Sequence, residues 1–123
     1  MTAARALAFC LIALASSALA QPADAQRERL AGNTLSIENR FGVIKLRLHP
    51  DMTYSYAVPG GGSQKGTWRV FNGALCTTAV DPAPPPDLPA ESCLLVRDRR
   101  IGERWGGNDV RNGPIRYKLS KGD

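Results

Sequence analysis

The stretch at residues 65–76, KGTWRVFNGALC, points most directly to the fold, because it places Asn-Gly between two runs of apolar, aromatic and β-branched residues. Asn-Gly in this position is the strongest short-range signal for a β-hairpin, since both residues tolerate the positive φ angles of a type I′ turn. We therefore predict two antiparallel strands, at about 66–71 and 74–79, joined at Asn72-Gly73.

Two registers are compatible with this hairpin. A two-residue loop puts Cys76 beside Arg69 on the face opposite Trp68. A three-residue loop, with Gly73 as a left-handed bulge, moves the register by one residue and puts Cys76 and Trp68 on the same face. The sequence leaves both open, and we favour the second, since a half-cystine is usually buried and packs well against an indole.

The rest of the chain repeats the pattern of short strands separated by turn residues. Strand signals recur at 34–39, 43–48, 53–58, 92–97, 101–105 and 114–119. About eight short strands with a turn every ten residues or so are typical of an antiparallel barrel or sandwich. We predict an all-β up-and-down meander that closes into a small barrel, with a β-sandwich as the alternative. The residues expected inside or at the mouth are Leu46, Tyr54, Tyr56, Trp68, Leu75, Leu94, Val96 and Ile115.

The first twenty residues have the composition of a secretory signal peptide. A positive charge at Arg5 is followed by an apolar run and then by the small-residue ending at 18–20. Cleavage is expected before Gln21, with a second site before Gln26 as the alternative. We therefore predict an exported protein, periplasmic or extracellular, with no transmembrane segment after cleavage, because the apolar run is shorter than the ~20 residues of a span.

The part that follows is long enough for one domain with one core. We expect a flexible lead-in at 21–32 and a single β domain at 33–121. Within that domain, the proline run at 80–90 cannot lie inside a sheet, because proline offers no ladder donor, so it is predicted to be an extended surface loop.

The cysteines predict one disulfide. Of the three in the chain, Cys10 lies in the signal peptide, which leaves Cys76 and Cys93 as an even pair in an oxidising compartment. Their disulfide closes a loop whose chain-entropy value is about 3 kcal/mol. We expect no metal site and no cofactor, since there is no Cys-x-x-Cys and the one histidine is distant in sequence.

The charge balance limits the choice of partner. The chain has a formal net charge of +5, spread along its length without a dense Lys/Arg run. This pattern argues against nucleic acid and favours an anionic envelope component, an acidic protein or a small ligand. We expect a monomer.

Catalysis has weak support in the sequence. His49, with Asp51 two residues away, is better explained as an exposed turn residue than as part of a nucleophilic site. A carboxylate pair of the glycosidase kind needs two acids to converge in the fold, and none of the candidates carries a local signature. These candidates are Glu38, Glu91, Glu103 and Asp109.

Binding residues are easier to suggest. Four arginines fall close together around an expected strand-turn-strand, and guanidinium groups pair bidentately with phosphate or carboxylate. We predict a non-catalytic binding or inhibitor-like module; the alternative is a small envelope enzyme with a carboxylate-based site. The proposed binding residues are Arg97, Arg99, Arg100 and Arg104, with Trp68, Trp105, Tyr54 and Tyr56 lining a mouth.

A short succession of motifs carries a resemblance. Gly66-Thr67-Trp68 precedes Leu75-Cys76, Asp51-x-Thr53-Tyr54 lies before them, and Ser92-Cys93 and Ile101-Gly102-x-x-Trp105 follow. Over roughly 33–120 this succession resembles small exported bacterial β domains of uncharacterised function. The general plan is also similar to lipocalin-like and periplasmic inhibitor barrels. The resemblance implies a small β domain and brings no catalytic residues with it.

Overall fold

The structure, a computed structural model, describes residues 22–58, 60–111 and 113–122. The predicted signal peptide lies outside the described residues. The elements are one helix, α1 (Pro22–Leu30), and the strands β1 (Asn33–Asn39), β2 (Gly42–Leu48), β3 (Thr53–Ala57), β4 (Ser63–Phe71), β5 (Ala74–Asp81), β6 (Glu91–Leu95), β7 (Arg104–Asp109) and β8 (Gly113–Ser120). No helix in this part of the chain is both long and apolar enough to span a bilayer.

The strands form a single antiparallel sheet in the order β6-β5-β4-β3-β2-β1-β8-β7. This order confirms the predicted all-β meander, which curls into a half-barrel. β8 pairs with β1 although the two are far apart in sequence, whereas β6 and β7 are consecutive and form the two edges.

The turn at Asn72-Gly73 corrects the favoured register. The loop consists of these two residues alone, with φ of 50° and 79°, and Cys76 pairs with Arg69. Cys76 therefore lies on the face opposite Trp68, and the favoured three-residue loop is wrong. The physical reason is that a two-residue turn with two positive φ angles matches the right-handed twist of its strands without a bulge.

The predicted disulfide is present, and it joins neighbouring strands. Cys76 on β5 and Cys93 on β6 are directly opposite, with their Cα atoms 4.0 Å apart. Cys76 is buried and Cys93 is exposed, so the bridge lies at the outer surface of the sheet.

The core lies on the concave face of the sheet. Its buried apolar side chains are Leu30, Leu35, Leu46, Leu48, Tyr54, Trp68, Leu75, Val96 and Leu119. The predicted interior residues Tyr56 and Leu94 pack against this core while partly exposed, and Ile115 is half-buried.

Tyr54 owes its position to a glycine on the next strand. Gly66 pairs with Tyr54, and a Cβ at Gly66 would lie only 2.5 Å from the tyrosine Cε1 and would overlap the Thr78 carbonyl oxygen. The register of β4 against β5 shifts beside Gly66. The missing side chain thus lets a large aromatic ring lie against the strand.

The expected flexible lead-in at 21–32 contains a packed helix. Leu30 of α1 is fully buried in the core, and Gln26, one turn earlier, is only 4% exposed. The Gln26 Nε2 donates hydrogen bonds to the carbonyls of Gly73 (3.0 Å) and Arg97 (2.8 Å). The helix therefore belongs to the domain, because it supplies a core side chain and binds two turns of the sheet.

The strand directions define two ends of the half-barrel. Because successive strands are antiparallel, the connections β2–β3, β4–β5 and β6–β7 lie at the same end as α1, which we call the helix end. The connections β1–β2, β3–β4, β5–β6 and β7–β8 lie at the opposite end, which we call the hairpin end.

Candidate functional site

A row of basic side chains crosses the outer face of the sheet. Arg104 on β7 pairs with Lys118 on β8, Lys118 with Ser36 on β1, and Ser36 with Lys45 on β2. Directly paired residues point to the same face. The neighbouring row, which includes Leu35, is buried in the core, so these cations face outward.

Two further arginines flank this row. Arg116 pairs with Glu38 and Gly106, and Arg47 follows Lys45 by two residues on β2. We call the whole set the cationic face. It consists of Lys45, Arg47, Arg104, Arg116 and Lys118.

The cationic face takes no part in the ion pairs of the described residues. Those pairs join Arg27 to Asp24, Arg69 to Glu91 and Arg99 to Glu103. On the outer face of β7, β8, β1 and β2, Glu38 is the one acid among the described residues. The positive charge of this face is therefore available to an external anion.

An open depression of about 490 Å³ lies against this face at the β7 edge. It is lined by Ser36, Glu38, Val43, Arg104, Trp105, Gly106, Arg116, Tyr117 and Lys118. The depression brings three of the five cations together, so an anionic ligand there meets positive charge from several side chains. Trp105 and Tyr117 also contribute to its lining, although they pack against the core on the inner side of the sheet.

Trp105 ties the predicted arginine turn to the sheet. Its ring stacks on Tyr117, with the centroids 5.4 Å apart, and the Arg99 guanidinium lies 4.9 Å from its centroid. Arg99 also donates to the Glu103 carboxylate at 2.6 Å, which lowers the pKa of Glu103, with a smaller contribution from the Arg100 backbone N–H. Arg99 is therefore engaged within the turn.

The other arginines of the 97–104 turn are exposed. The Arg97 carbonyl accepts hydrogen bonds from Gln26 and Arg29 of α1, which holds the turn against the helix. Arg104 begins β7 and points outward, whereas the adjacent Trp105 pairs with Tyr117 on the inner side. The turn thus places Arg97, Arg100 and Arg104 at the surface. The side chain of Arg99 instead contacts Trp105 and Glu103.

The other predicted aromatic residues lie elsewhere. Trp68 is buried in the core, and its Nε1 donates to the His49 carbonyl at 3.1 Å. Tyr54 is also buried, and its hydroxyl donates to Gln64 at 3.0 Å. Tyr56 stacks on Tyr54 at 6.1 Å, and burial raises the pKa of both phenols. These three residues lie on β3 and β4, apart from the arginine turn.

The His49 region does not form a triad. The His49 Nε2 lies 3.1 Å from the Ser55 Oγ. The Asp51 carboxylate accepts hydrogen bonds from the Thr53 hydroxyl and backbone N–H, and these bonds lower the pKa of Asp51. Asp51 therefore stabilises its own turn, as expected for a structural role of this segment.

The candidate carboxylates lie in separate environments. Glu91 on β6 accepts two hydrogen bonds of 2.7 Å from Arg69, and Glu103 is bound by Arg99. Both contacts lower the pKa of the carboxyl group, whereas a general acid needs a raised pKa. Glu91 and Glu103 are therefore each held by an arginine, and Glu38 lies on the outer face of β1 opposite Arg116.

One group of potential metal ligands occurs among the described residues. It comprises Cys76, Glu91 and Cys93. Because the two sulfur atoms are bonded to each other, they are not available as thiolate ligands.

The sequence carried a signal for the cationic face that the predictions did not use. Ile115-Arg116-Tyr117-Lys118-Leu119 and Ile44-Lys45-Leu46-Arg47-Leu48 both alternate, so each strand presents its cations on one face. What the alternation does not show is that β1 lies between these two strands, which brings their basic faces together.

No protein-family model, curated protein or solved structure matches the chain. The resemblance to small exported β domains therefore stays a prediction.

Proposed function

We propose that the protein is an exported, non-catalytic binding module that binds an anionic polymer of the cell envelope through its cationic face. The observation that carries the proposal is the row Arg104, Lys118 and Lys45, which spans four strands without an ion pair among the described residues. Export, the signal peptide and the identity of the polymer belong to the proposal.

The arrangement of the row favours a polymer over a single small anion. Neighbouring strands are about 4.8 Å apart, so the row from Arg104 to Lys45 spans roughly 14 Å. A ligand with repeated negative charges neutralises several of these cations at once, and each contact adds to the affinity.

The row also costs the free protein some stability. Arg104 and Lys118 are directly opposite on neighbouring strands, and like charges in such a pair repel each other. A bound anion between them removes this repulsion, so part of the binding free energy comes from relief of a strain that the free protein carries.

The test is a charge reversal with a matched control. The variant R104E/K118E is compared with K65E/K121E, which makes the same change in net charge at exposed cations outside the cationic face. The probe is dextran sulfate on beads, titrated at several salt concentrations. We expect R104E/K118E to weaken binding at least about tenfold, equivalent to about 1.4 kcal/mol, and to reduce the salt slope by roughly two charges.

The control decides whether position matters. We expect K65E/K121E to lose less than about threefold, because neither lysine belongs to the row from Arg104 to Lys45, and β3 separates Lys65 from Arg47. Equal losses in the two variants, or no retention of the wild-type protein at low salt, would refute the proposal.

A further inference from the structure

Two neighbouring hairpins project at the hairpin end of the half-barrel. The β1–β2 connection contains Arg40 and Phe41, and the β7–β8 connection contains Val110 and Arg111. Since β1 pairs with β8, the two connections are adjacent. Each therefore carries one apolar and one cationic side chain next to the other hairpin. We call these four residues the hairpin tips.

The same local hydrogen-bond pattern stabilises both hairpin tips. The Phe41 N–H donates to the Asn39 side chain at 2.8 Å, and the Arg111 N–H donates to the Asp109 side chain at 2.7 Å. In both cases the acceptor lies two residues earlier, which is the geometry of an Asx turn. In addition, Arg40 donates to the Arg111 carbonyl at 3.2 Å and so links the two tips.

Both apolar side chains of the tips face water. Phe41 is 64% exposed and Val110 is fully exposed. The Arg40 guanidinium lies 4.9 Å from the centroid of the Phe41 ring. Apolar groups fixed in this way at the ends of two hairpins are stabilised only when another phase or molecule removes them from water.

Two arginines contribute to the lining of a depression next to the tips. It has a volume of about 360 Å³, and its lining includes Arg40, Phe41 and Arg116, together with Glu38. Two guanidinium groups beside an aromatic ring suit an anionic headgroup whose attached chains are apolar.

From these observations we propose that the hairpin tips dock on an anionic phospholipid membrane. Phe41 and Val110 enter the interface between headgroups and acyl chains, while Arg40, Arg111 and Arg116 contact lipid phosphates. This inference goes beyond the proposed function, because it concerns the hairpin tips, beside which Arg116 is the one residue shared with the cationic face, and a ligand that the row of cations on β7, β8 and β2 does not require.

The shape of the tips favours a membrane over a protein partner. Each tip offers one apolar side chain on a convex loop, whereas a specific protein interface covers about 800 Å² on each partner with a packed apolar centre. A lipid surface needs no complementary shape. It needs an apolar group that reaches the interface and a cation at the level of the phosphates, and the tips supply both.

The test measures binding to lipid vesicles by co-sedimentation. The vesicles contain phosphatidylcholine alone, or phosphatidylcholine and phosphatidylglycerol in a ratio of about two to one. We expect the wild-type protein to bind the anionic vesicles and not the neutral ones. The variant F41S/V110S should bind the anionic vesicles at least about tenfold more weakly, since two apolar side chains no longer enter the interface.

The matched control lies at the opposite end of the half-barrel. Phe71 and Leu95 are about half exposed there, and F71S/L95S likewise replaces two exposed apolar side chains with serine. We expect this control to bind anionic vesicles as the wild type does. Equal losses in both double variants, equal binding to neutral vesicles, or binding of an envelope protein without binding of vesicles would overturn the proposal.

A second measurement reports how deeply position 41 enters the membrane. A Phe41→Trp variant should shift its emission to shorter wavelength with anionic vesicles and be quenched by lipids brominated in the acyl chains, whereas Phe71→Trp should show neither change. Retention on dextran sulfate should be unchanged in F41S/V110S. This readout separates failure of membrane docking from failure of the proposed polymer binding.

Discussion

The loops at the two ends of the half-barrel are held by different kinds of hydrogen bond. At the helix end, the Gly73 carbonyl accepts hydrogen bonds from the backbone N–H groups of Val96 (3.0 Å) and Arg97 (2.7 Å) and from Gln26 of α1 (3.0 Å). At the hairpin end, Asn39 and Asp109 bind the backbone two residues further along the same loop. At the helix end, most of these contacts join segments that are distant in sequence. At the hairpin end, most of them lie within one loop.

This difference indicates that one end stabilises the fold and that the other end is available for contacts with other molecules. Side chains at the helix end are shared between α1, the β4–β5 turn and the 97–104 turn, so a change in one affects the others. The hairpin tips are joined to each other by one hydrogen bond, from Arg40 to the Arg111 carbonyl, and their apolar side chains face water. We infer that the helix end holds the fold together and that the hairpin end is free to make external contacts.

The largest expected effect comes from removing the core side chain of α1. Leu30→Ala should lower the free energy of unfolding by about 3 kcal/mol, because Leu30 is fully buried and its loss leaves a cavity. Phe41→Ala at the hairpin end should change it by less than about 0.5 kcal/mol. Urea unfolding, followed by the fluorescence of the buried Trp68, measures both. Similar losses in the two variants would show that the ends do not differ.

A smaller effect is expected from the polar contact of the same helix. Gln26→Ala should lower the free energy of unfolding by about 1 kcal/mol, since the Gly73 and Arg97 carbonyls each lose one donor and keep others. Hydrogen exchange at the Val96 and Arg97 amides should become faster. The exposed Glu28 on the same helix provides the control, and Glu28→Ala should leave exchange at these amides unchanged. If these amides exchange as slowly in Gln26→Ala as in the wild type, α1 does not hold the turns.

Most local features could be predicted from the sequence, but the strand predicted at 101–105 was wrong in its bounds, since residues 101–103 precede β7, which is Arg104–Asp109. Asn72-Gly73 marked the hairpin, the other alternating segments marked strands, and the even pair Cys76 and Cys93 marked the disulfide. Each of these depends on neighbouring residues or on simple counting. The predicted register was wrong because the turn geometry determines it, and Cys76 becomes buried on the face opposite Trp68 without packing against the indole.

Features that depend on distant segments were not predictable in the same way. Among residues 23–30 of α1, whose burial is described, only Gln26 and Leu30 are buried, and the others are mostly polar, so the helical pattern is weak. The pairing of β1 with β8 joins segments about 80 residues apart and has no local signature. The cationic face exists only because of that pairing. The arginine turn was visible in the sequence, but the contact of Arg99 with Trp105 and Glu103 was not.

The smallest expected effect concerns acid stability at the helix end. The hydrogen bond from Arg99 holds the pKa of Glu103 below its ordinary value. A lowered pKa in the folded state means that the contact stabilises the fold above the unfolded-state pKa of about 4.3, and that this contribution is lost as the pH falls through the folded-state pKa. Glu103→Gln should therefore reduce the loss of stability between neutral pH and about pH 3.

A double-mutant cycle with Arg99→Leu identifies the cause. In the Arg99→Leu background, Glu103→Gln should change the acid dependence less, because the main donor to the carboxylate is already absent and only the Arg100 backbone N–H remains. Unfolding in urea at several pH values measures the four proteins. If Glu103→Gln has the same effect with and without Arg99, the ion pair does not control the acid response of this end.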